Sequence, residues 1–274
     1  MNYRHAYHAG NFADVHKHAS LTLLLGHLLK KDTAFHVLDC HAGIGRYDLT
    51  GVEANKTAEF RAGIARVMRN PDPILAPYLA LVRFENEIDG LSVYPGSPLL
   101  IRKMMRRVDR LTLVELHEDD AALLRGIFNR DRQVTIREED AYQAMKASLP
   151  PRERRGLVLI DPPYEAKDEF QRVTQGLAEG LRRWPTGIYA IWYPIKSPAE
   201  CARFKSEVRN FGVPCLASEI MLLAPDREDR LNGSGLLLIN PPWQLDEQLE
   251  LLMTCLHSAL GCQGETKLQW LVTG

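Results

Sequence analysis

The sequence predicts an α/β fold: a doubly wound, Rossmann-like sheet with a small helical insertion. Three observations predict it. Short apolar runs recur through the chain, four of them close on or just before an acidic residue, and helical patterns separate them. Alternation of this kind gives parallel strands with helices on both faces of a sheet.

Taken in order, Phe35–Leu38 ends at Asp39 and Leu111–Val114 ends at Glu115. Gln133–Ile136 is followed closely by Asp140, and Leu157–Ile160 ends at Asp161. Gly187–Trp192, Leu216–Leu223 and Gly235–Ile239 complete the strand candidates. Such runs suit strands buried on both faces. Ser97–Arg107 fits a helix: Ser97 can cap it, Pro98 sits at the first position, and Leu100, Ile101, Met104 and Met105 repeat at helical spacing. Asp119–Asn129, Tyr142–Leu149 and Glu165–Arg183 also read as helices. In open sheets of this type ligands bind beyond the carboxyl ends of the strands. Asp39, Glu115 and Asp161 fall there, with Asp140 just past a fourth such end.

One connection is too long. Between Asp39 and Leu111 a simple crossover needs one helix, and Ser97–Arg107 already supplies it. Residues 49–94 therefore read as an insertion, with helices Glu53–Asn70 and Ile74–Asp89 parted by Pro71-Asp72-Pro73. Residues 1–48 and 95–274 make up the Rossmann-like domain.

The bulk numbers set the class. A chain of 274 residues suits one large domain, or one with an insert. With 45% hydrophobic and 25% charged residues, it has the ordinary soluble balance. No apolar run approaches the roughly 18 residues of a membrane span; Leu21–Leu29 is too short, and His27 interrupts it. The start Met1-Asn2-Tyr3-Arg4-His5 lacks the basic start and apolar run of a signal peptide, so a cytoplasmic protein is expected. Cys40, Cys201, Cys215, Cys255 and Cys262 form no C-x-x-C pair, which argues for reduced, mostly buried thiols and against a zinc knuckle. A net charge of −1 does not advertise a nucleic-acid binder. The local clusters Arg102-Lys103 with Arg106-Arg107, and Arg152 with Arg154-Arg155, read as solvated faces or as phosphate contacts.

The stretch Val37–Gly45 runs a strand into a turn that holds Gly43 and Gly45. Glycines let backbone pass close to a ligand. The dinucleotide fingerprint G-x-G-x-x-G is not met, because His41 holds the first glycine position and no good helix follows at once. A cofactor without phosphates fits better than a phosphate cradle. Glu115, ending the second strand, can accept from both ribose hydroxyls of a nucleoside. Asp140 can accept from the exocyclic amine of a cofactor adenine, and serves equally well as the cap of Tyr142–Leu149.

Ile160-Asp161-Pro162-Pro163-Tyr164 carries most of the chemistry. Two prolines remove two backbone donors and stiffen the turn, and their carbonyls remain as fixed acceptors. An aryl amine such as adenine N6 is a poor nucleophile, because its lone pair is delocalised into the ring. The Asp161 carboxylate and the Pro162 carbonyl can each take one N–H. The nitrogen is then drawn toward a tetrahedral geometry that frees the lone pair for in-line attack on a sulfonium methyl. Tyr164 can stack on the base, which is worth roughly 1–3 kcal/mol, and favour the positive charge developing on nitrogen. A base inside structured nucleic acid must first be unstacked. The motif thus points to methylation of a ring-attached amine from S-adenosylmethionine.

Asn240-Pro241-Pro242-Trp243 echoes that motif at the end of another apolar run. Asp161 is preferred because it falls in step with Asp39, Glu115 and Asp140. Asn240 ends the last or next-to-last strand, in this fold usually an edge or an inserted antiparallel element.

The N-terminus holds His5, His8, His16 and His18 beside Arg4, Asn11, Asp14 and Lys17. His16 and His18 are two apart, off one helical face, and no zinc spacing is met, so no metal site is expected. The segment reads either as a polar lead into an apolar helix Leu21–Leu29 or as a strap over cofactor or substrate.

One more pattern joins these pieces: Tyr3-Arg4-His5, His8-Ala9-Gly10-Asn11, Asp14-Val15-His16-Lys17-His18, Asp39-Cys40-His41-Ala42-Gly43, Tyr94-Pro95-Gly96-Ser97-Pro98, Glu115-Leu116-His117 and Ile160-Asp161-Pro162-Pro163-Tyr164. In that order, and over essentially the whole chain, they resemble the RlmJ family, bacterial methyltransferases of the N6 of one adenine in 23S ribosomal RNA. The resemblance implies a Rossmann-like class I S-adenosylmethionine-dependent methyltransferase with a small helical insertion. It implies cofactor contacts at His18, His41, Ser97, Glu115, Asp140, Ala141 and Asp161, with Asp161, Pro162 and Tyr164 at the reaction centre. On the substrate side it implies Tyr3, Lys17 and Tyr164, with the N-terminal segment ordering around the cofactor. The implied partner is 23S ribosomal RNA, bare or in early assembly, acted on by a monomer away from any membrane. One departure is visible: the family often has glycine where Ala141 stands. A backbone contact survives that change; a need for positive φ would not.

Three rival readings share some of these features. A DNA adenine-N6 methyltransferase would use the same tetrapeptide, usually with a larger target-recognition region than this insert. A guanine-N2 or protein-glutamine methyltransferase would share the fold and a related tetrapeptide; the aspartate argues against glutamine and only weakly against guanine. A non-catalytic RNA-binding module would not need Asp39, Glu115 and Asp161 intact.

Overall fold

The computed structural model describes residues 4–70, 72–86, 90–223 and 230–274. Tyr3, assigned to the substrate by resemblance, lies outside them. The strands in chain order are β1 (His36–Asp39), β2 (Arg46–Asp48), β3 (Val93–Pro95), β4 (Arg110–Glu115), β5 (Val134–Glu138), β6 (Gly156–Ile160), β7 (Ile188–Ile195), β8 (Cys215–Met221), β9 (Gly233–Ile239) and β10 (Thr266–Val272). The helices are α1 (Phe12–Leu29), α2 (Val52–Thr57), α3 (Glu59–Ala62), α4 (Ile64–Val67), α5 (Ala76–Phe84), α6 (Ser97–Met104), α7 (Glu118–Ile127), α8 (Ala141–Ser148), α9 (Glu169–Arg183), α10 (Pro198–Arg209) and α11 (Leu245–Leu260).

Eight strands form one sheet in the order β10-β8-β9-β7-β6-β1-β4-β5. The five from β5 to β7 run parallel, as strand–helix alternation predicts. β9 is inserted antiparallel between β7 and β8, and β10 closes the edge antiparallel to β8. β10 carries no apolar run; its residues are only partly buried, as suits an edge.

Alternate residues along each central strand feed two cores. Val37, Leu111, Leu113, Leu157 and Leu159 join the cluster that holds α1, α6 and α11. Leu38, Val114, Val158 and Ile160 join the cluster of α8, α9 and α10. Both faces are therefore dry, which is why these strands read as unbroken apolar runs.

Helix α1 starts nine residues earlier than the apolar pattern suggests. The Asn11 side chain accepts the Ala13 and Asp14 N–H groups, each at 3.0 Å, and nucleates it. Asp14, His16, Lys17 and His18 thus lie inside a buried helix rather than in a polar lead. Ser97 does not cap α6. Gly96 holds the cap position, and the Ser97 hydroxyl is drawn to Asp39 instead.

The antiparallel pair β2–β3 brackets residues 49–92, with Asp48 opposite Val93. In place of one helix Glu53–Asn70 there are three short ones, broken at Ala58 (φ 53°) and at Gly63. A Cβ on Gly63 would come 2.1 Å from the Gly10 carbonyl oxygen. That oxygen accepts the Ile64 N–H at 2.8 Å. The break thus lets the N-terminal chain seat directly on this segment. Ile64, Val67, Tyr78, Leu79 and Val82 belong to the same core as α1 and α11. Among the described residues, no helix is long and apolar enough to cross a membrane.

Candidate active site

The parallel strands end together. Asp39 pairs in register with Leu113 and Leu159, so Glu115 and Asp161 each lie two residues beyond it on neighbouring strands. A cavity of about 960 Å³ opens over this edge, roofed by His5, His8 and Asn11 from the N-terminal segment. That volume lies at the upper end of single-ligand pockets. Lys17, His18, His41, Ser97, Glu115, Asp140, Ala141, Asp161, Pro162 and Tyr164 all line it. These are all the site residues of the sequence reading that lie among the described residues.

One arm of the cavity is rich in fixed acceptors. Glu115 Oε2 accepts the Gly43 N–H at 2.9 Å, and its Oε1 accepts the His117 N–H at 2.9 Å. The carboxylate is thereby aimed along the strand end. Gly43 has φ 60°, and a Cβ there would meet the Tyr47 hydroxyl at 2.4 Å. Asp140 Oδ1 caps α8, accepting from Tyr142 and Gln143, while its Oδ2 takes Arg172 at 3.0 Å. Ala141 has no positive φ, so alanine serves there as well as glycine.

Beneath this arm Asp39 is wholly buried. Its Oδ2 accepts the Ser97 hydroxyl at 2.7 Å, and its Oδ1 has no well-formed hydrogen bond. Burial pushes its pKa up to about 7, with the Ser97 hydrogen bond opposing. Asp39 is not on the cavity wall; it stands behind Ser97, which is. The carboxylates that do reach the cavity, Glu115, Asp140 and Asp161, fit a nucleoside cofactor that carries positive charge.

The other arm surrounds Asp161. His41 Nδ1 accepts the Asp161 N–H at 3.2 Å, which fixes the turn. Burial lowers the His41 pKa to about 3, so the ring is a neutral acceptor. Lys17 is ion-paired with Asp161 Oδ2 and, at 2.9 Å, with Asp14 Oδ1. Burial works against the Lys17 ammonium, yet Asp14 and Asp161 raise its pKa. Burial also opposes the Asp14 charge, but His5 and Lys17 hold it well below the usual carboxylate range. Asp161 Oδ1 and the Pro162 carbonyl accept no hydrogen bond among the described residues. Tyr164 (φ 51°) packs on Phe170 at 4.8 Å, and its hydroxyl donates to the Trp192 carbonyl at 2.8 Å. His18 stands 2.7 Å from the Tyr94 hydroxyl, and burial lowers its pKa to about 3.

Asn240 is elsewhere. Its amide nitrogen donates to the Pro185 and Gly187 carbonyls, each at 2.8 Å, and its N–H donates to Pro214. Those groups precede β7 and β8, at the opposite edge of the sheet from Asp161. Antiparallel β9 carries the second Pro-Pro motif away from the cavity. Trp192, Pro194 and Lys196 line the cavity and were not anticipated. Their period-two spacing at the end of the β7 run is the signal that marks them.

Comparison with known proteins agrees with this geometry. Residues 32–272 match the family described as ribosomal RNA large subunit methyltransferase D, RlmJ. A ribosomal RNA large subunit methyltransferase J from Escherichia coli is 41% identical over 99% of each chain. One from Haemophilus influenzae is 40% identical over 96% of this chain and 95% of its own. A crystal structure of a Legionella pneumophila protein superposes with a TM-score of 0.88 at 32% identity, covering 96% of this chain and 97% of that one. With such matches over nearly its whole length, the chain belongs to the RlmJ family of ribosomal RNA large subunit methyltransferases.

Proposed function

We propose that this protein transfers a methyl group from S-adenosylmethionine to the exocyclic N6 of an adenine in 23S ribosomal RNA. Family membership makes it an S-adenosylmethionine-dependent ribosomal RNA methyltransferase. The adenine, the 23S strand and the residue roles are our reading. The observation that carries it is the pair of open acceptors, Asp161 Oδ1 and the Pro162 carbonyl, at the mouth of a rigid Pro-Pro turn.

When bound, the cofactor supplies an electrophilic methyl on a sulfonium. Glu115 would take its ribose hydroxyls and Asp140 or the Ala141 backbone its adenine, with His18, His41, Ser97 and Asp161 around them. Asp161 Oδ1 and the Pro162 carbonyl accept the two N–H groups of the target amine and release its lone pair from the ring. Lys17 on Oδ2 holds the Asp161 carboxylate in place, so that Oδ1 is the acceptor offered. Tyr164 stacks on the base and stabilises the developing charge. The excess proton then leaves through Asp161 or water. Tyr3 and Lys17 assist the substrate, and residues 49–94 form an inserted lobe that braces the N-terminal strap through Glu59, which His8 and Asn11 both contact. We take the substrate to be bare or early-assembly RNA and the enzyme to be a cytoplasmic monomer.

The test is labelled methyl transfer to bare 23S RNA, followed by mapping of the modified base. N6-methyladenine at one position is expected. Methyl on a guanine N2, or on duplex DNA only, would overturn the reading.

A further inference from the structure

His16 and the end of β7 take no part in the reaction above, and they are joined to each other. The register of β6 with β7 pairs Ile160 with Ile191, so Trp192 is the residue alongside Asp161. Trp192 and Pro194 line the cavity, while Tyr193 and Ile195 are buried in the core on the other face.

Trp192 is held along its edge. Its indole N–H donates to Ser234 Oγ at 2.9 Å. Ser234 Oγ lies 3.0 Å from His16 Nδ1, and His16 Nε2 lies 3.1 Å from Ser218 Oγ. In the tautomer we assign, a single proton chain links them. Trp192 gives to Ser234, the Ser234 hydroxyl gives to Nδ1 of a neutral His16, and Nε2–H gives to Ser218. His16, Ser218 and Ser234 are fully buried, and burial lowers the His16 pKa to about 3, consistent with a neutral ring. A satisfied buried network of this kind fixes its members rigidly. The indole it fixes faces Lys17, whose ammonium stands 5.9 Å from the ring centroid. Tyr164 meets the same indole at 5.7 Å, nearly edge-on. Two touching aromatic rings, Trp192 on β7 and Tyr164 in the turn after β6, therefore stand beside Asp161. Because the rings touch, a flat heteroaromatic whose amine reaches Asp161 lies against the corner they form.

We infer that Trp192 is the second wall of the target-base slot, and that His16 and Ser234 are positioning residues that hold it there. The ligand is a purine presented edge-first to Asp161. This rests on the amine-methylating reading of the cavity.

The test uses the full chain with S-adenosylhomocysteine bound and AMP as the probe, followed by calorimetry and tryptophan fluorescence, together with KM for an RNA transcript. Trp192→Ala is expected to weaken AMP roughly 5- to 150-fold, the loss of one base–aromatic stack, and to raise KM for RNA in the same order. Trp192→Phe is expected to recover most of both. S-adenosylhomocysteine affinity should stay within about twofold in each variant. Ser234→Ala should weaken AMP in the same direction by less, with cofactor affinity again unmoved. Unchanged AMP affinity and RNA KM in Trp192→Ala would overturn the slot. An equal loss of cofactor affinity would also overturn it, since that marks a structural role. Ser234→Ala with wild-type AMP affinity would overturn the positioning role. If wild type methylates a group other than an adenine amine, the parent reading fails, yet the RNA KM of Trp192→Ala still decides the place of Trp192.

Discussion

Lys17 in α1 and Asp161 at the end of β6 form an ion pair inside the cavity, and Asp14 shares the same ammonium at 2.9 Å. The Lys17 side chain is 5% exposed. Removing the cation would strip Asp161 of its ion pair and leave it facing Asp14, which keeps His5 and the Gly10 N–H. Breaking a buried pair in this way costs about 3–5 kcal/mol. Lys17→Met is therefore expected to lose about 3 kcal/mol in urea unfolding and at least 10²-fold in transfer rate. Lys17→Arg should recover stability better than activity, because a wider planar cation cannot point Asp161 in the same way. A Lys17→Met protein of wild-type stability would show that the pair is not formed in solution.

Asp161→Ala tests the acceptor itself. Asp14 still holds Lys17 in that variant, so the fold should survive, with an unchanged circular dichroism spectrum. Transfer should fall by on the order of 10³-fold or more, while cofactor affinity changes little. Full activity in the folded variant would remove Asp161 from the reaction.

The centre of the sheet was legible because β1, β4 and β6 are buried on both faces and each runs into a carboxylate. Asp39, Glu115 and Asp161 could be placed at one edge from the chain alone. The harder features were those set by tertiary contact. Asp14, Lys17 and His18 left a polar lead and a strap both open, because their partners lie far away in sequence, at Asp161 and Tyr94. The break at Gly63 depends on the Gly10 carbonyl and leaves no local trace except the glycine itself. Ser97 looks like a cap by spacing, and only the buried Asp39 explains why its hydroxyl turns inward. Trp192 looked like the end of a strand; its importance comes from the register with Ile160.

Asn240→Ala separates the two Pro-Pro motifs. The variant loses two hydrogen bonds to the Pro185 and Gly187 carbonyls and must adopt φ 51° without the tolerance of asparagine. A loss of about 1–3 kcal/mol is expected in urea unfolding. Transfer at a temperature where the variant stays folded should remain near wild type. A folded but inactive Asn240→Ala would reverse the choice of motif.

Tyr164→Ala should lower transfer more than cofactor affinity, by roughly the 1–3 kcal/mol of one stacking contact. Tyr164→Phe keeps the stack and loses only the hydrogen bond to the Trp192 carbonyl. It should therefore sit between wild type and alanine. Equal losses in transfer and in cofactor binding for Tyr164→Ala would assign the ring to the cofactor.

Acidification acts on the buried groups in opposite directions. Burial takes His16, His18 and His41 from 6.5 to about 3, so between those values the folded chain binds fewer protons than the unfolded one. Their contribution to stability is full above pH 6.5 and is lost as pH falls toward 3. Asp39 is raised from 3.8 to about 7, so its contribution is full below 3.8 and is lost as pH rises through 7. Where the windows overlap, three histidines act against one aspartate, each at no more than about 1.4 kcal/mol per pH unit. The histidines win, and the urea midpoint of the cofactor-free protein should fall from pH 6.5 to pH 5. Asp39→Asn removes the opposing group and should steepen that fall, whereas His16→Gln should make it shallower. A midpoint that holds level or rises on acidification would mean that these histidines are not buried in neutral form.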